Sequence, residues 1–178
     1  MSGHSKWATI KRDKAVNDAK KSKVFSKLSR AITVAAKTGG GDMDANASLR
    51  LAVDRAKEDR MPKDNVEKAI SKGTGTGADA ANYFDVIYEA FGPGGEAFYV
   101  KGLTDNKNRT AAEIRNIFSK HGGSLGGPGS TAYIFTPDVE NPVFMSEPSE
   151  SQKDSLLKLM DELDDNEDIQ DIYVNFEI

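Results

Sequence analysis

The segment YFDVIYEAFGPGGEAFYVKGL, residues 83–103, decides the fold of the C-terminal part of this chain. Two runs rich in β-branched and aromatic residues, 83–91 and 96–103, flank the sequence Gly92-Pro93-Gly94-Gly95. Such runs favour strands, and a short stretch of glycine and proline between them favours a turn. The segment therefore predicts two strands joined by a turn.

Patterns typical of helices and strands follow this segment. Thr110 and Glu113 have the spacing of a capping box, which predicts a helix over about 110–121. Apolar spacing predicts the remaining elements: a strand over 131–135, a proline-containing loop over 136–150, a helix marked by Leu156, Leu157, Met160 and Leu163, and a last strand over 172–178. The order ββαβαβ predicts an antiparallel sheet with two helices on one face.

Three helical patterns precede the segment. Residues 18–37 have apolar residues at three- and four-residue spacing, a second helix begins near Asn46, and Pro62 suits the first position of a third. The sequence therefore predicts an α+β protein with three parts. These are a basic arm and three-helix bundle over 1–73, a linker over 74–82, and an α+β domain over 83–178.

The charge of the chain is divided between its two ends. Residues 1–72 contain seventeen bases and nine acids, whereas residues 73–178 contain seven bases and nineteen acids. Before residue 38, ten bases face only Asp13 and Asp18. A basic end on an acidic body is typical of a protein that contacts polyanions at that end.

The basic end includes a stripe along the first predicted helix. Lys20, Lys23, Lys27, Arg30 and Lys37 have nearly no acids beside them, so the usual pairing of opposite charges one turn apart is missing. Like charges this close favour an external polyanion. A solvated helix face is the alternative.

Several classes of function find no support. The chain has no cysteine, which excludes disulfides, thiol catalysis and cysteine-bound zinc, and it has only two histidines. It contains no phosphate-binding loop motif, no nucleophile elbow and no pair of histidines at metal-binding spacing. No apolar run is long enough for a membrane span, and the start lacks a secretory leader. We therefore expect a cytoplasmic protein without enzymatic activity, cofactor, metal or membrane contact.

Two other motifs have ordinary structural interpretations. The glycines of 122–129 could bind a phosphate through backbone N–H groups, but a helix precedes them and a strand is predicted after them, so a turn is favoured. The acidic run 161–168 lacks the glycine and spacing of a calcium loop, so a solvated helix end is favoured.

Aromatic and basic residues at two places suggest contacts with nucleic acid. Trp7 lies among bases and could stack on a base or ribose, or it could anchor the arm to the bundle. Lys107 and Arg109 precede a predicted helix and could bind a second stretch of phosphates, although a simple capping loop is the alternative. The candidate ligands of nucleic acid are His4, Lys6, Trp7, Lys11, Arg12, Lys14, Lys20, Lys21, Lys23, Lys27, Arg30, Lys107 and Arg109.

The chain resembles the YebC family, whose mitochondrial relatives include the translational activator of cytochrome oxidase. The residues that carry the resemblance are GHSKW (3–7), MPKDNVEKAI (61–70), YEAFGPGG (88–95), LTDNKNRTAAEIR (103–115), GGSLGGPGSTAYIF (122–135) and IYVNFEI (172–178). The resemblance implies a non-enzymatic factor, described either as a DNA-binding transcriptional regulator or as a translation factor that eases stalls on the ribosome. Family members usually carry an extra domain where this chain has only the loop 136–150.

Three functions follow as hypotheses. The first is a regulator that binds RNA in the ribosome. The sequence shows no helix with evident base-reading side chains, and a protein that contacts mainly phosphates is suited to recognising a folded RNA by its shape. The second is a DNA-binding transcriptional regulator, in which a helix of the bundle would enter the major groove. The third is a protein-interaction module whose basic arm binds an acidic surface. A monomer is expected, and a dimer remains an alternative.

Overall fold

The structure, a computed structural model, describes residues 18–75 and 82–178. It contains two compact units, of which one ends at Tyr83 and the other runs from Phe84 to Ile178. Within the described ranges, no helix combines the length and the apolar character that a membrane span requires. The predicted linker, 74–82, lies mostly outside these ranges, so its boundaries stay a prediction.

Three helices build the first unit: α1 (Asp18–Gly39), α2 (Ala47–Glu58) and α3 (Lys63–Gly73). Their apolar faces meet in a single core, which confirms the predicted bundle. The buried members of this core are Ile32, Ala36, Leu49, Ala52, Val53, Ala56, Met61, Val66 and Ala69. Pro62 differs slightly from the prediction, because it precedes α3 instead of occupying its first position.

Asn46 caps α2 as predicted and also connects two helices. Its side-chain oxygen accepts a hydrogen bond from the backbone N–H of Leu49 at 3.0 Å. Its amide nitrogen donates to the carbonyl groups of Ala35 and Gly40, each at 2.8 Å. One buried side chain thus satisfies groups at the end of α1 and at the start of α2.

The second unit is built on a four-stranded antiparallel sheet. The predicted hairpin is present as β1 (Phe84–Phe91) and β2 (Ala97–Thr104), paired from Phe84 with Thr104 to Phe91 with Ala97. The strand β3 (Ser124–Leu125) pairs with β1, and β4 (Ile169–Val174) pairs with β2, which gives the order β3-β1-β2-β4. The predicted α+β class is therefore confirmed.

Helices cover both faces of this sheet. The two longer ones, α4 (Lys107–Lys120) and α6 (Glu150–Asp165), pack on the face that Phe98 and Val100 present. The short helix α5 (Ala132–Phe135) packs on the opposite face, against Tyr99 and Tyr173. Neighbouring residues of β2 divide between the two cores because successive side chains of a strand point to opposite faces.

The predicted strand over 131–135 was wrong. These residues form α5, and the third strand of the sheet lies earlier, at Ser124–Leu125. The physical reason is visible in the burial of Ile134 and Phe135, which are neighbours in sequence and are both buried on the same side. A strand would point them to opposite faces, whereas one turn of helix directs both into one core. The last strand also ends early, at Val174 instead of residue 178.

Candidate nucleic-acid interface

The described part of the predicted basic stripe lies on α1. Lys21 is exposed, and Lys23, Lys27 and Arg30 are partly exposed, while Ile32 on the same helix is fully buried. Lys20 belongs to the helix, but its side chain is outside the described part of the structure. Three- and four-residue spacing places Lys23, Lys27 and Arg30 along one side of the helix, which produces a basic face. We call it the basic face of α1.

Two contacts orient the C-terminal part of this face. The guanidinium of Arg30 lies over the ring of Tyr83, 5.0 Å from its centroid. Lys37 Nζ donates to the side-chain oxygen of Asn82 at 3.0 Å. The contact with the ring of Tyr83 therefore fixes the position of the Arg30 guanidinium on this face.

His4, Lys6, Trp7, Lys11, Arg12 and Lys14 lie outside the described residues, so their assignment as ligands of nucleic acid stays a prediction.

The start of α4 differs from the predicted capping box. Asn106 is the N-cap, and its side-chain oxygen accepts from the backbone N–H of Arg109 at 3.1 Å. Thr110 lies within the first turn and is fully buried, where its hydroxyl contacts Thr104 Oγ1 at 2.7 Å and donates to Asp168 at 2.5 Å. The helix therefore begins three residues earlier, and Lys107 and Arg109 are its first-turn residues rather than loop residues.

Arg109 is held by acidic side chains. One of its terminal nitrogens donates to Asp168 at 2.9 Å and to Asp105 at 3.0 Å, and its Nε lies 3.7 Å from Glu113. The hydrogen bond with Asp168 raises the pKa of Arg109 above its usual value. The Arg109 side chain is 44% exposed and that of Asp168 is 5% exposed, so the pair spans the boundary between solvent and interior.

Asp168 was missed by the sequence analysis, which assigned the whole acidic run 161–168 to a solvated helix end. In the structure Asp168 is buried and accepts from Arg109 and Thr110. Its position after the end of α6 sets it apart from the earlier acids of the run, but a sequence gives no sign of its partners 58 and 59 residues away.

Lys107 has a different environment. It is exposed, and its ammonium lies 4.8 Å from the centroid of the Phe84 ring, which is itself 44% exposed. A cation over a half-exposed aromatic ring at a helix N-terminus can bind phosphate, and the ring offers a surface for stacking. Phe84 was treated only as a strand residue in the sequence analysis. Its position at the very start of β1, where a side chain is less covered by neighbouring strands, was the sequence feature that could have indicated an exposed ring.

The glycine-rich loop that follows α4 binds an internal carboxylate. Glu89 on β1 accepts from the backbone N–H groups of Gly129 and Thr131, each at 2.6 Å, and from the Thr131 hydroxyl at 2.9 Å. Burial by itself raises the pKa of Glu89, but these hydrogen bonds outweigh it and hold the pKa below its usual value. The N–H group of Gly129, one of those considered for phosphate, is therefore engaged by Glu89, which agrees with the turn interpretation.

The described residues also show how the metal-ligating and histidine side chains are arranged. Within 18–75 and 82–178, no cluster of three or more metal-ligating side chains is present. His121 ends α4, and its Nε2 lies 2.7 Å from a carboxylate oxygen of Glu162. The contact with His121, followed by that with Lys120, lowers the pKa of Glu162. This pair connects α4 to α6, so its evident role is structural.

Comparison with known proteins gives two family matches. Residues 5–76 match the model described as the TACO1/YebC protein N-terminal domain. Residues 83–140 match the model described as the TACO1/YebC second and third domain.

The curated relatives include proteins from Borrelia turicatae and Rubrobacter xylanophilus, which are 58% and 59% identical to this chain over 135 residues. A relative from Dictyoglomus thermophilum is 55% identical over 157 residues. These alignments cover 76%, 76% and 88% of this chain, and 55%, 54% and 62% of the relatives. The chain thus spans little more than half the length of these relatives, each of which is called a probable transcriptional regulatory protein.

A solved structure also matches. The crystal structure of a conserved hypothetical protein from Aquifex aeolicus is similar with a TM-score of 0.80 and 30% sequence identity. The similarity covers 90% of this chain and 92% of that one. Because both family models match in order along most of the sequence and the fold agrees, the chain belongs to the TACO1/YebC family.

Proposed function

We propose that this protein is a non-enzymatic, cytoplasmic regulator of gene expression that binds RNA in the ribosome and eases stalled elongation. The observation that carries the proposal is the basic face of α1. It belongs to a basic N-terminal segment joined to a strongly acidic remainder of the chain. Such a distribution attracts a polyanion to one end and repels it from the other.

The composition of α1 favours binding of RNA over recognition of a specific DNA base sequence. The helix contains no asparagine or glutamine, the side chains that read adenine in a major groove. Its single arginine, Arg30, lies over the ring of Tyr83. Lysines contact phosphates and fix the position of a protein without reading bases, which suits recognition of a folded RNA by its shape. Lys107 beside Phe84 provides a candidate for a second contact.

A DNA-binding transcriptional regulator is the second candidate, and the names of the relatives favour it. All three relatives described above are called probable transcriptional regulatory proteins. In this case the three-helix unit would place one helix in a major groove, with dimers on palindromic half-sites.

Sedimentation with ribosomes tests the first candidate against the second. We expect the protein to pellet with purified ribosomes at physiological salt and to stay in the pellet when duplex DNA is added in excess. Folded ribosomal RNA would then offer contacts that a duplex does not. Displacement by DNA, or no pelleting, would contradict the ribosomal target and favour the transcriptional one.

The basic face of α1 makes a separate prediction. Replacing Lys20, Lys23 and Lys27 with alanine should weaken binding and flatten its dependence on salt. The slope of log K against log salt should fall by about 0.7 per lost phosphate contact on single strands and about 0.9 on duplex DNA. Filter binding across a salt series measures this slope.

A matched control is available in the same unit. Lys57, Lys63 and Lys68 are exposed on α2 and α3, and replacing them with alanine removes the same charge. An equal loss of slope in this control would show that net charge alone is responsible, and that the basic face of α1 has no special role.

A further inference from the structure

An apolar patch lies on the second unit, residues 84–178. It consists of Tyr133, Val143, Phe144 and Met145, which are 62%, 64%, 50% and 48% exposed. The rings of Tyr133 and Phe144 lie 6.1 Å apart, and the backbone N–H of Val143 donates to the carbonyl of Ile134 at 2.8 Å. These contacts bring the loop 143–145 alongside α5. We call these four residues the apolar patch.

The backbone below the patch is fixed on both sides. Ile134 and Phe135 next to Tyr133 are buried in the core on that face of the sheet. After Met145, the N–H of Ser146 donates to the carbonyl of Asn175 at 2.6 Å. The four side chains are thus exposed on an anchored surface. Adjacent large apolar side chains left in water typically mark a binding surface.

The charges around the patch select the kind of ligand. The chain has no lysine or arginine between Lys120 and Lys153, whereas Asp138, Glu140 and Glu147 are exposed and flank the patch in sequence. A hydrogen bond from the Asn141 side chain, with one from the Glu140 backbone, lowers the pKa of Asp138 and keeps it ionised. The patch therefore suits an apolar group accompanied by basic residues. A second copy of the same patch would bring acids against acids.

The N-terminal arm of this chain has the required chemistry. Residues 1–17 contain Trp7 and Ile10 together with Lys6, Lys11, Arg12 and Lys14. We propose that the apolar patch binds the N-terminal arm of the same chain, with Trp7 as the aromatic anchor and the arm's bases facing the flanking acids.

The covalent connection favours this occupant over a free basic protein. A tethered segment binds at an effective concentration in the millimolar range when its length permits contact. The eleven residue steps from Trp7 to Asp18 span up to about 36 Å when extended. That length is comparable with the diameter of a domain of about 100 residues.

Binding of the arm would control access to it. While the arm is bound to the apolar patch, nucleic acid that binds the arm weakly does not displace it from the patch. A target with a strong negative field attracts the arm more strongly and does displace it. This regulatory consequence rests on the proposed function, whereas binding of the arm to the patch does not.

Tryptophan fluorescence of the full chain tests the contact directly, because Trp7 is the only tryptophan. In the absence of nucleic acid and at low salt, we expect Trp7 in the wild type to be shielded from acrylamide. Phe144→Ser should increase quenching and shift the emission to longer wavelength. Replacing Asp138, Glu140 and Glu147 with the corresponding amides should act in the same direction, as should high salt.

Leu51→Ser is the matched control, since Leu51 is an apolar side chain of α2 with 57% exposure. It should leave the emission unchanged, and circular dichroism verifies that each variant is folded. Equal quenching in the wild type, Phe144→Ser and Leu51→Ser would overturn the proposal. Emission that depends on protein concentration would also overturn it, because the arm would then bind a second copy.

Ribosome pelleting of the same variants separates this inference from the proposed function. If the arm is bound and released as proposed, Phe144→Ser should bind RNA more tightly than the wild type. If the wild type and Phe144→Ser had the same fluorescence but the wild type still pelleted with ribosomes, only the arm contact would be refuted. A clear fluorescence difference without any pelleting would refute only the proposed function.

Discussion

Replacing Asp168 with alanine is expected to lower the free energy of unfolding by about 2–4 kcal/mol. The buried Thr110 hydroxyl loses its acceptor, at a cost of about 1–3 kcal/mol, and the ion pair with the half-exposed Arg109 contributes about 1 kcal/mol more. Asp168 is 3% exposed and accepts from Arg109 at 2.9 Å and from Thr110 at 2.5 Å. Its loss leaves a guanidinium without its principal counter-charge and a buried hydroxyl without its acceptor. Urea unfolding followed by circular dichroism measures the difference.

Two variants control this experiment. Asp154→Ala removes the same charge from an exposed position of α6 and should change stability by no more than about 0.5 kcal/mol. Asp168→Asn preserves the shape of the side chain but not its charge. Its free energy of unfolding should lie between those of the wild type and Asp168→Ala. If Asp168→Ala unfolds like Asp154→Ala, the ion pair does not hold the start of α4.

The second large effect is expected at Glu89. Its carboxylate accepts from the backbone N–H groups of Gly129 and Thr131 and from the Thr131 hydroxyl, and the residue is 8% exposed. Glu89→Ala leaves three donors unsatisfied, at about 1–3 kcal/mol for each buried group. We expect a loss of about 3–4 kcal/mol after partial rearrangement of the loop. Amide hydrogen exchange at Gly129 and Thr131 should accelerate.

The stability that the Glu89 carboxylate contributes should depend on pH. The pKa of Glu89 is lower in the folded protein than in the unfolded chain, where it is about 4.3. Its stabilising contribution is therefore complete above that value and is lost as the pH falls through the folded value. Glu89→Gln should thus be less stable than the wild type at pH 7, and the difference should shrink on acidification. A difference that is constant between pH 7 and pH 3 would show that the charge of Glu89 is not involved.

The hairpin was predictable because both of its strands and its turn are encoded within residues 83–103. The strand β3 was missed because it has two residues in a glycine-rich segment and exists only by pairing with Ala90 and Phe91. The residues 131–135 were assigned to a strand because a short apolar run has no periodicity that separates a strand from a helical turn.

The site was predictable to a similar degree. The basic face of α1 follows from lysine spacing, which a helix converts directly into a surface. The surroundings of Lys107 and Arg109 did not follow. Phe84 and Asp168 reach them from distant positions in the chain, through pairing of β1 with β2 and of β2 with β4.

By itself, the sequence determined the class of the protein, its helices, its central hairpin and the division of its charge. These properties depend on local periodicity, on turn residues and on composition, all of which act between neighbours in the chain. Only the tertiary structure decided that Asp168 holds Arg109, that Glu89 fills the glycine-rich loop, and that an apolar patch stays exposed at 133–145. Each of these depends on which distant groups share a buried or exposed environment. That environment sets the cost of a charge or an apolar side chain, and a sequence does not specify it.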